Sequence, residues 1–595
     1  MRAAIWLALL VCFAVLPSSA SNTAGSGAGG LRWESWSDGV FERAKREKKF
    51  VLLDLEAVWC HWCHVMDEKT YRNPAVIKLI RSKYIPVRVD QDSRPDLSNR
   101  YEDYGWPATV VFNSSGGEIV KRAGYIPPDE MTSLLTAIIK DPTPGPSVQP
   151  KKSITYARDA FLSAALRKEL QGRYVAGYDE EKAGWGTYHK FMDWDSVEYS
   201  MARAKGGDER AARMARETLA AQLKLIDPVW GGVYQYSTDG DWDHPHFEKI
   251  MQMQAENMRI YSQAYLLWND PKYLKAATDI HRYLKAFLLS PEGCFYTSQD
   301  ADLVKGKHSG DYFSLSDAER RKRGMPAVDR HMYARENGWA INALVALYSA
   351  TGDEQYFDQA RRAAEWIIKN RSLPGGGFSH DSKDPAGPYL GDTLAMGRAF
   401  LSLYAASGDR QWLSRAEQAA DFIGKHFQTA GAGFVTADVA KAGIHKPEPQ
   451  RDENVMMARF ANLLYHYSGK PAYKKLADQA MRYLATADVA RQRRILVSGI
   501  LLADTELTSD PAHVTVVGRK DDPQAKALFA AALKYPAAYK RVEWWDSREG
   551  PLPNMDVEFP QLDKAAAFAC ANKRCSLPVF KPDGVAAMVD RLNRS

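Results

Sequence analysis

The chain has 595 residues, which is too many for a single hydrophobic core, so we expect several domains. Its formal net charge is +6, and it contains no run of Lys and Arg interleaved with aromatic residues, which argues against a nucleic-acid partner. After residue 20, no apolar stretch reaches the roughly 18 residues of a membrane helix. We therefore expect no membrane segment in the mature protein.

The first 20 residues have the pattern of a secretory signal. A charged start at Arg2 precedes an apolar run from Ala3 to Leu16, and small residues end the segment at Ala20. The apolar run is too short to span a bilayer. We expect a secreted or periplasmic protein, in an oxidising compartment where a pair of thiols can act on disulfides.

A Cys-x-x-Cys motif follows a β-rich apolar run that begins at Phe50. Cys60 opens a predicted helix, whose N-terminus carries unpaired N–H groups and a partial positive charge that stabilise a thiolate. Cys60 is therefore the predicted nucleophile, and Cys63, one turn deeper, is predicted to attack the mixed disulfide that Cys60 forms. His61 favours the thiolate further when it is protonated.

Predicted strands and helices alternate from residue 33 to about residue 139, and Asn113–Gly117 supplies a hairpin turn. This order resembles a thioredoxin fold. The resemblance implies that Asp54 is a buried acid that exchanges protons with Cys63, and that Pro107 is a cis-proline against the dithiol. It also implies that the partners are protein thiols or disulfides.

Three other interpretations of the motif remain. Cys60-His-Trp-Cys63-His64 also matches the c-type haem attachment sequence, and two Cys with two His can bind zinc. The third alternative is a purely structural disulfide. The preceding strand, Asp54 and the Trp106-Pro107 pair are expected of a dithiol and are explained by none of these. We therefore expect no cofactor and no metal.

From about residue 156 to residue 502 the chain is a series of amphipathic helices that repeats. Similar Gly-containing segments open helices at Thr351–Tyr356, Ser407–Trp412 and Ser468–Tyr473, and more loosely at Asn269–Tyr273. Gly-aromatic loops follow at a constant distance: Phe295, Phe378 and Phe434 lie 22 residues after Tyr273, Tyr356 and Trp412. Such hairpins must stack, and polar residues after each loop favour a closed ring with the loops gathered at one mouth.

Motifs spread over nearly the whole mature chain carry a second resemblance. They are Cys60–Met66, Gly231–Tyr234 with Trp242–Lys249, Phe295–Asp302, Asn337-Gly338 and Cys570–Pro578. They resemble the spermatogenesis-associated thioredoxin-domain family, which implies a thioredoxin-like domain joined to an (α/α)6 toroid like those of six-hairpin glycosidases and N-acylglucosamine epimerases. The predicted regions are a signal at 1–20, a thioredoxin-like domain at 31–141, a linker at 142–153, the toroid at 154–505 and a small α/β region at 506–595.

Polar residues at the predicted mouth form a candidate toroid pocket. Its members are His244, His246, Glu248, Asp300, Asp302, Asn337 and Asp392. Paired carboxylates can act as general acid and base at a glycosidic bond, and His can transfer protons in an epimerase, so a carbohydrate is the candidate ligand. Asp, His and Glu beside helix starts also act as caps. We expect His246, Glu248, Asp300 and Asp302 to face one central pocket, with Tyr234, Phe295 and Phe378 around its rim.

Cysteines outside the motif have separate predicted roles. Cys570 and Cys575 are close enough in sequence to bridge a short loop, so we expect a structural disulfide, with a relay role toward Cys60 and Cys63 as the alternative. Cys294 is expected to be a buried free thiol.

The leading hypothesis is an exported thiol-disulfide oxidoreductase whose toroid binds a substrate or partner. The alternative is a carbohydrate-active toroid enzyme with a docking or regulatory thioredoxin-like domain, and the third hypothesis is a scaffold in which both sites are inert.

Overall fold

The structure is a computed structural model that describes residues 30–102, 105–149, 153–441, 443–493, 495–571 and 574–594. The predicted signal at residues 1–20 lies outside the described residues. Within the described ranges, no helix is both long enough and apolar enough to cross a membrane. An α/β domain, a helical toroid and a second, smaller α/β domain follow one another, which confirms the predicted fold class.

The N-terminal domain has a thioredoxin-like sheet, as predicted. Its elements are α1 (Asp38–Glu47), β1 (Phe50–Glu56), α2 (His61–Lys69), α3 (Pro74–Lys83), β2 (Tyr84–Asp90), α4 (Pro95–Tyr101), β3 (Ala108–Phe112), β4 (Glu118–Ala123) and α5 (Pro128–Lys140). The strand order is β2-β1-β3-β4, with β2 parallel and β3 antiparallel to β1. Because β1 is a central strand, its residues from Val51 to Leu55 are buried, and it leads through a short turn to Cys60.

Six helical hairpins close into a ring to form the toroid. The inner helices are α7 (Trp194–Lys205), α9 (Met251–Trp268), α13 (Ala334–Thr351), α15 (Leu390–Ser407), α17 (Arg451–Ser468) and α20 (Ser498–Leu507). The outer helices are α6 (Ala164–Ala176), α8 (Glu209–Gln222), α10 (Pro271–Tyr283), α14 (Glu354–Arg371), α16 (Arg410–His426) and α18 (Pro471–Leu484). Each inner helix contacts the next, and α20 contacts α7, so the ring is closed.

Short elements lie in the loops of the toroid. They are β5 (Tyr236–Ser237), β6 (Pro245–His246), β7 (Lys249–Ile250), β8 (Ser298–Gln299), α11 (Gly310–Phe313), α12 (Asp317–Arg323), β9 (Val328–Asp329) and α19 (Ala487–Ala490). The first seven of these elements lie between α8 and α13, so this part of the mouth carries the most loop structure.

The repeated Gly-Asp sequence explains how the α13–α14 and α15–α16 hairpins turn. Gly352 and Gly408 adopt φ values of 77° and 68° just after an inner helix, a left-handed conformation that favours glycine. Asp353 and Asp409 then cap the outer helix, because their carboxylates accept the backbone N–H groups two residues further on. One residue ends the inner helix and the next begins the outer helix, so a two-residue motif forms the turn of both hairpins.

Polar side chains tie the Gly-aromatic loops to the inner helices. The side chain of Asn337 accepts the Phe295 N–H at 2.7 Å and donates to the Phe295 carbonyl at 3.0 Å. Gln254 binds Val233 and Asn454 binds Phe434 in the same way, whereas Thr393 only accepts the Phe378 N–H, and each is the fourth residue of its inner helix. These bonds satisfy loop backbone groups that are buried, so they hold the loops in place.

The C-terminal domain repeats the strand order of the N-terminal domain. It contains β10 (Ala512–Val517), α21 (Pro523–Leu533), β11 (Lys540–Trp545), β12 (Ala566–Ala571), β13 (Arg574–Cys575) and α22 (Val585–Arg594). Its order is β11-β10-β12-β13, again with one parallel pair, β10 with β11. Cys570 and Cys575 face each other in the register of β12 and β13 and form a disulfide, whereas Cys294 is a buried free thiol.

Asn337→Ala is expected to destabilise the toroid, because it leaves the buried N–H and carbonyl of Phe295 without partners. The expected loss is about 2–3 kcal/mol in the free energy of unfolding. Urea denaturation followed by circular dichroism measures it. The control is Asn370→Ala, at an exposed position of α14, for which a change below about 0.5 kcal/mol is expected. Equal effects of the two substitutions would contradict the role of Asn337 in binding the Phe295 loop.

Candidate active site

The two cysteines of the motif lie at the start of α2 and are bonded to each other. Cys60 is the N-cap of the helix, and its sulfur accepts the backbone N–H of Cys63 at 3.2 Å. In the reduced protein this N–H and the helix dipole stabilise a thiolate at Cys60. Trp106 and Ile250, the second of which comes from the toroid, pack against the pair. The peptide bond between Trp106 and Pro107 is cis.

Asp54 is buried in β1, next to a guanidinium. Its Oδ2 accepts a hydrogen bond from Arg88 Nε at 2.9 Å, whereas its Oδ1 has no partner in the described chain. Burial raises the pKa of Asp54, although the charge of Arg88 opposes the shift. A raised pKa favours the protonated form of this carboxyl, which suits a proton-exchange partner of Cys63.

The toroid covers the dithiol. A small antiparallel sheet pairs Lys249 with Gln299, and this places Glu248 and Asp300 at adjoining positions just beyond the strands. Asp302 follows and accepts hydrogen bonds from His61 Nδ1 at 2.7 Å and from His64 Nδ1 at 3.0 Å. The Glu248 carboxylate accepts the backbone N–H of His61 at 3.3 Å. As a result Cys60 and Cys63 are only 4% and 2% exposed.

The carboxylate of Asp302, which His61 and His64 share, determines the charges at the contact between the toroid and α2. Burial alone would lower the pKa of His64, but the hydrogen bond with Asp302 and the charge of Asp300 outweigh it, so this pKa is raised. Burial would raise the pKa of Asp302, but the two imidazoles outweigh it and the pKa is lowered. For Asp300 and Glu248 the opposing effects of the nearby histidines and backbone N–H groups are weaker than burial. Burial therefore raises their pKa values to about 6 and about 7. Asp302 is thus the ionised group that binds the two histidines.

One group of these side chains has the spacing of a cation site. His64, Asp300 and Asp302 each offer one ligand atom, and these atoms lie within 4.8 Å of one another. The same atoms of His64 and Asp302 hydrogen-bond to each other, which accounts for their positions without a metal.

A second chain of hydrogen bonds joins the toroid to the residue before Cys60. Trp59 Nε1 donates to Asp92 Oδ2 at 2.6 Å, and the Asp92 carbonyl accepts from His380 Nε2 at 2.7 Å. The other ring nitrogen of His380 lies 2.8 Å from Asp392. Asp392 therefore orients an interdomain contact and does not line a cavity.

The remaining residues of the predicted toroid pocket do not meet in one cavity, which corrects that expectation. His244 is exposed and pairs with Asp241 at 2.9 Å, and the ring of His246 stacks on Tyr236. Glu248, Asp300 and Asp302 do come together, as predicted, but against α2 and not around an open pocket. Asn337 holds a loop. The predicted rim residues Tyr234, Phe295 and Phe378 are buried in the toroid core, because the Gly-aromatic loops fold inward over the helices.

A different cavity lies between the two domains. This mouth chamber, of about 480 Å³, is lined by Trp59, Asp92 and Trp106 of the N-terminal domain and by the first turns of the inner helices. Glu336 and Glu453 are among its lining residues, and both come directly before a loop-binding asparagine. The repeated Glu-Asn pair was a sequence signal for them, since it recurs at one position of two inner helices. None of the residues predicted for the toroid pocket lines this chamber.

Asp302→Asn is expected to expose the dithiol, because it removes the ionised acceptor shared by His61 and His64. Breaking a buried ion pair costs about 3 kcal/mol, which corresponds to a roughly hundredfold larger open population. The alkylation rate of Cys60 in the reduced protein, at one fixed pH, measures it. Asp243→Asn, which breaks an exposed pair with Lys224 at the same mouth, is the matched control. A rate equal to that of the wild type would refute the covering role of Asp302.

The contact is also expected to weaken as pH rises from about 4 to about 7, between the ordinary pKa values of Asp300 and Glu248 and their raised values. The pKa values of His64, Asp300 and Glu248 are all raised in the covered state, so their contributions are complete at lower pH and are lost as pH passes through the raised values. Asp302, whose pKa is lowered, acts in the opposite direction only at more acidic pH. Amide hydrogen exchange of residues 61–64, corrected for intrinsic rates, reports the change. Protection that stays constant over this range would contradict the linkage.

Comparisons with known proteins agree with this architecture. Residues 27–140 match the family model described as "Protein of unknown function, DUF255" (Thioredox_DsbH). Human spermatogenesis-associated protein 20 is 22% identical over 92% of this chain and 88% of its own length, and a thioredoxin of Mycoplasmoides gallisepticum is 33% identical over 15% of this chain and 82% of its own length. A D-mannose isomerase structure, 14% identical, aligns with 58% of this chain and 96% of its own, with a TM-score of 0.45. The chain as a whole is thus similar to spermatogenesis-associated protein 20 over 92% of its length, and its N-terminal domain belongs to the thioredoxin family.

Proposed function

We propose that the protein is an exported thiol-disulfide oxidoreductase whose dithiol is covered by the toroid and acts on protein thiols or disulfides when the two domains part. The observation that carries this proposal is the placement of Cys60 at the N-cap of α2, where the Cys63 N–H points at its sulfur. A thiolate in this position is a better nucleophile and leaving group at neutral pH than an ordinary thiol. Burial of both cysteines supports a covered resting state.

In the reducing direction, the Cys60 thiolate attacks one sulfur of a substrate disulfide. A bond forms between Cys60 and that sulfur, and the other substrate sulfur leaves as a thiolate, which takes up a proton. The Cys63 thiolate then attacks the Cys60 sulfur and releases the second substrate thiolate. The products are the Cys60–Cys63 disulfide and a reduced substrate, and oxidation of a substrate dithiol runs through the same steps in reverse.

Asp54 and the toroid have supporting roles in this proposal. Asp54, held by Arg88, accepts the proton of Cys63 when that thiol becomes the attacking group. His61, His64 and Asp302 keep the pair covered until a substrate or partner competes for the toroid mouth. The mouth chamber is the place where such a substrate or partner contacts both domains, since Trp59 and Trp106 form part of its wall.

A carbohydrate-active toroid is the second candidate, and the composition of the mouth chamber favours it. Trp194 and Trp339 offer aromatic faces, and Asp195 and Glu453 are lining acids whose pKa values burial raises to about 7. Carboxyls with pKa values near the working pH are suited to acid–base chemistry. In this case the N-terminal domain would dock over the chamber or regulate access to it.

Cys60→Ser is expected to abolish insulin reduction by the full-length protein, with a loss of at least about a hundredfold, because serine is not ionised at neutral pH. Cys63→Ser is expected to accumulate a mixed disulfide between Cys60 and the substrate, which mass spectrometry detects. Cys294→Ser, which changes the buried free thiol, is the control and should keep full activity. Unchanged turnover in Cys60→Ser would remove the cysteine from the mechanism and favour the carbohydrate-active alternative.

A further inference from the structure

A second cavity lies at the opposite end of the toroid from the dithiol. This base cavity, of about 630 Å³, is enclosed by the inner helices and closed by residues 533–542 of the C-terminal domain. Bonds between Tyr467 and the Val542 N–H at 2.9 Å, and between Asn462 and Tyr539 at 2.7 Å, hold the closing segment. The three floor arginines, Arg259, Arg398 and Arg459, line both this cavity and the mouth chamber, so they separate the two.

The walls of the base cavity are apolar. The inner helices α9, α13, α15, α17 and α20 contribute Leu266, Val345, Leu401, Phe460 and Leu502, and the C-terminal domain adds Leu533. Sites that bind small molecules have volumes of about 300–1,000 Å³ and mostly apolar walls with a few placed polar groups. The base cavity has both properties.

The charges that line the base cavity do not balance. Two carboxylates line it in the described chain, Glu198 and Glu506, and both bind floor arginines. Its cations are Arg203, Lys205, Arg259, Arg398, Arg459 and Lys540, of which four have carboxylate partners: Asp208, Asp590, Glu198 and Glu506. Arg398 and Lys540 have no carboxylate ion-pair partner among the described residues. Glu256, which lies outside the lining, also binds Arg259, so the positive charge without an ion-pair partner is at Arg398 and Lys540, where an anion is the complementary ligand.

Arg398 is the better placed of these two cations to bind that anion. Lys540 already donates to the carbonyls of Leu533 and Tyr535, and burial lowers its pKa to about 7. The one hydrogen bond that Arg398 donates within the described structure runs to the sulfur of Met456, a weak acceptor, at 3.1 Å. A guanidinium stays charged in proteins, and a carboxylate can bind it through two parallel hydrogen bonds.

We propose that the base cavity binds a long-chain carboxylate, such as a saturated fatty acid, with its carboxylate on Arg398 and its chain along the apolar walls. The carboxylate of this ligand accepts hydrogen bonds from the guanidinium, and its chain covers the apolar walls. The inference goes beyond the proposed function, because the dithiol lies on the other side of the floor arginines and takes no part in it.

Titration of the full-length protein with dodecanoate, below its critical micelle concentration, tests the proposal by calorimetry and by the thermal-unfolding midpoint. We expect saturable binding and a rise in the midpoint, since the ligand binds the folded state. Dodecyltrimethylammonium, which has the same chain and the opposite charge, is expected not to bind. Arg398→Met is expected to weaken dodecanoate binding at least about tenfold, while the midpoint of the ligand-free protein stays or rises because a half-buried cation without a carboxylate partner is removed.

Three variants locate the site. Arg210→Met, at an exposed arginine that pairs with Glu180 outside the cavity, is the matched control and should leave the affinity unchanged. Ala405→Phe and Ala346→Phe fill the cavity from two different inner helices, so at least one folded variant should lose binding. Absence of dodecanoate binding, equal binding of dodecan-1-ol, or full affinity in Arg398→Met or in both cavity-filling variants would overturn the proposal.

Discussion

The carboxylate of Asp302, shared by two histidines of the redox helix, is the contact on which the arrangement of this protein depends. His61 and His64 lie on either side of Cys63, so an acceptor that binds both rings must lie directly over the dithiol. The same acid also accepts the Gly306 N–H, which holds its own loop in place. One buried, ionised group therefore joins the redox helix to the toroid, beside two cysteines that are only a few per cent exposed.

Asp302 is held in a fixed position because side chains of the inner helices bind the loops of the toroid. The fourth residue of four inner helices binds the backbone of the preceding Gly-aromatic loop, so each loop leaves the ring in a defined direction. The loop that follows Phe295 continues into β8, in the small sheet of β7, β8 and β9. This sheet places Asp300 and Asp302 beside α2. Rigid support is needed here, because a buried ion pair is favourable only in good geometry.

The two ends of the ring have different chemistry. The mouth chamber, under the N-terminal domain, carries many acids and arginines in pairs, whereas the base cavity is mostly apolar and has a surplus of positive charge. The floor arginines divide them, and Arg259 and Arg459 are held there by Glu198, Glu256 and Glu506. Because each α/β domain covers one end, movement of either domain would open one cavity without opening the other.

Local patterns in the sequence were enough to predict much of this molecule. The Cys-x-x-Cys after a buried strand predicted the redox helix, and the repeated Gly-Asp and Gly-aromatic segments predicted helical hairpins in a ring, because caps, turns and periodicity act within a few residues. The roles of the polar residues were decided by tertiary structure alone. Asn337 binds a loop, Asp392 orients His380, and Asp302 binds the redox helix of another domain about 240 positions earlier in the chain. A sequence shows that such a residue can accept or donate a hydrogen bond, but its partner is selected by packing between distant segments, and this selection exists only in the folded chain.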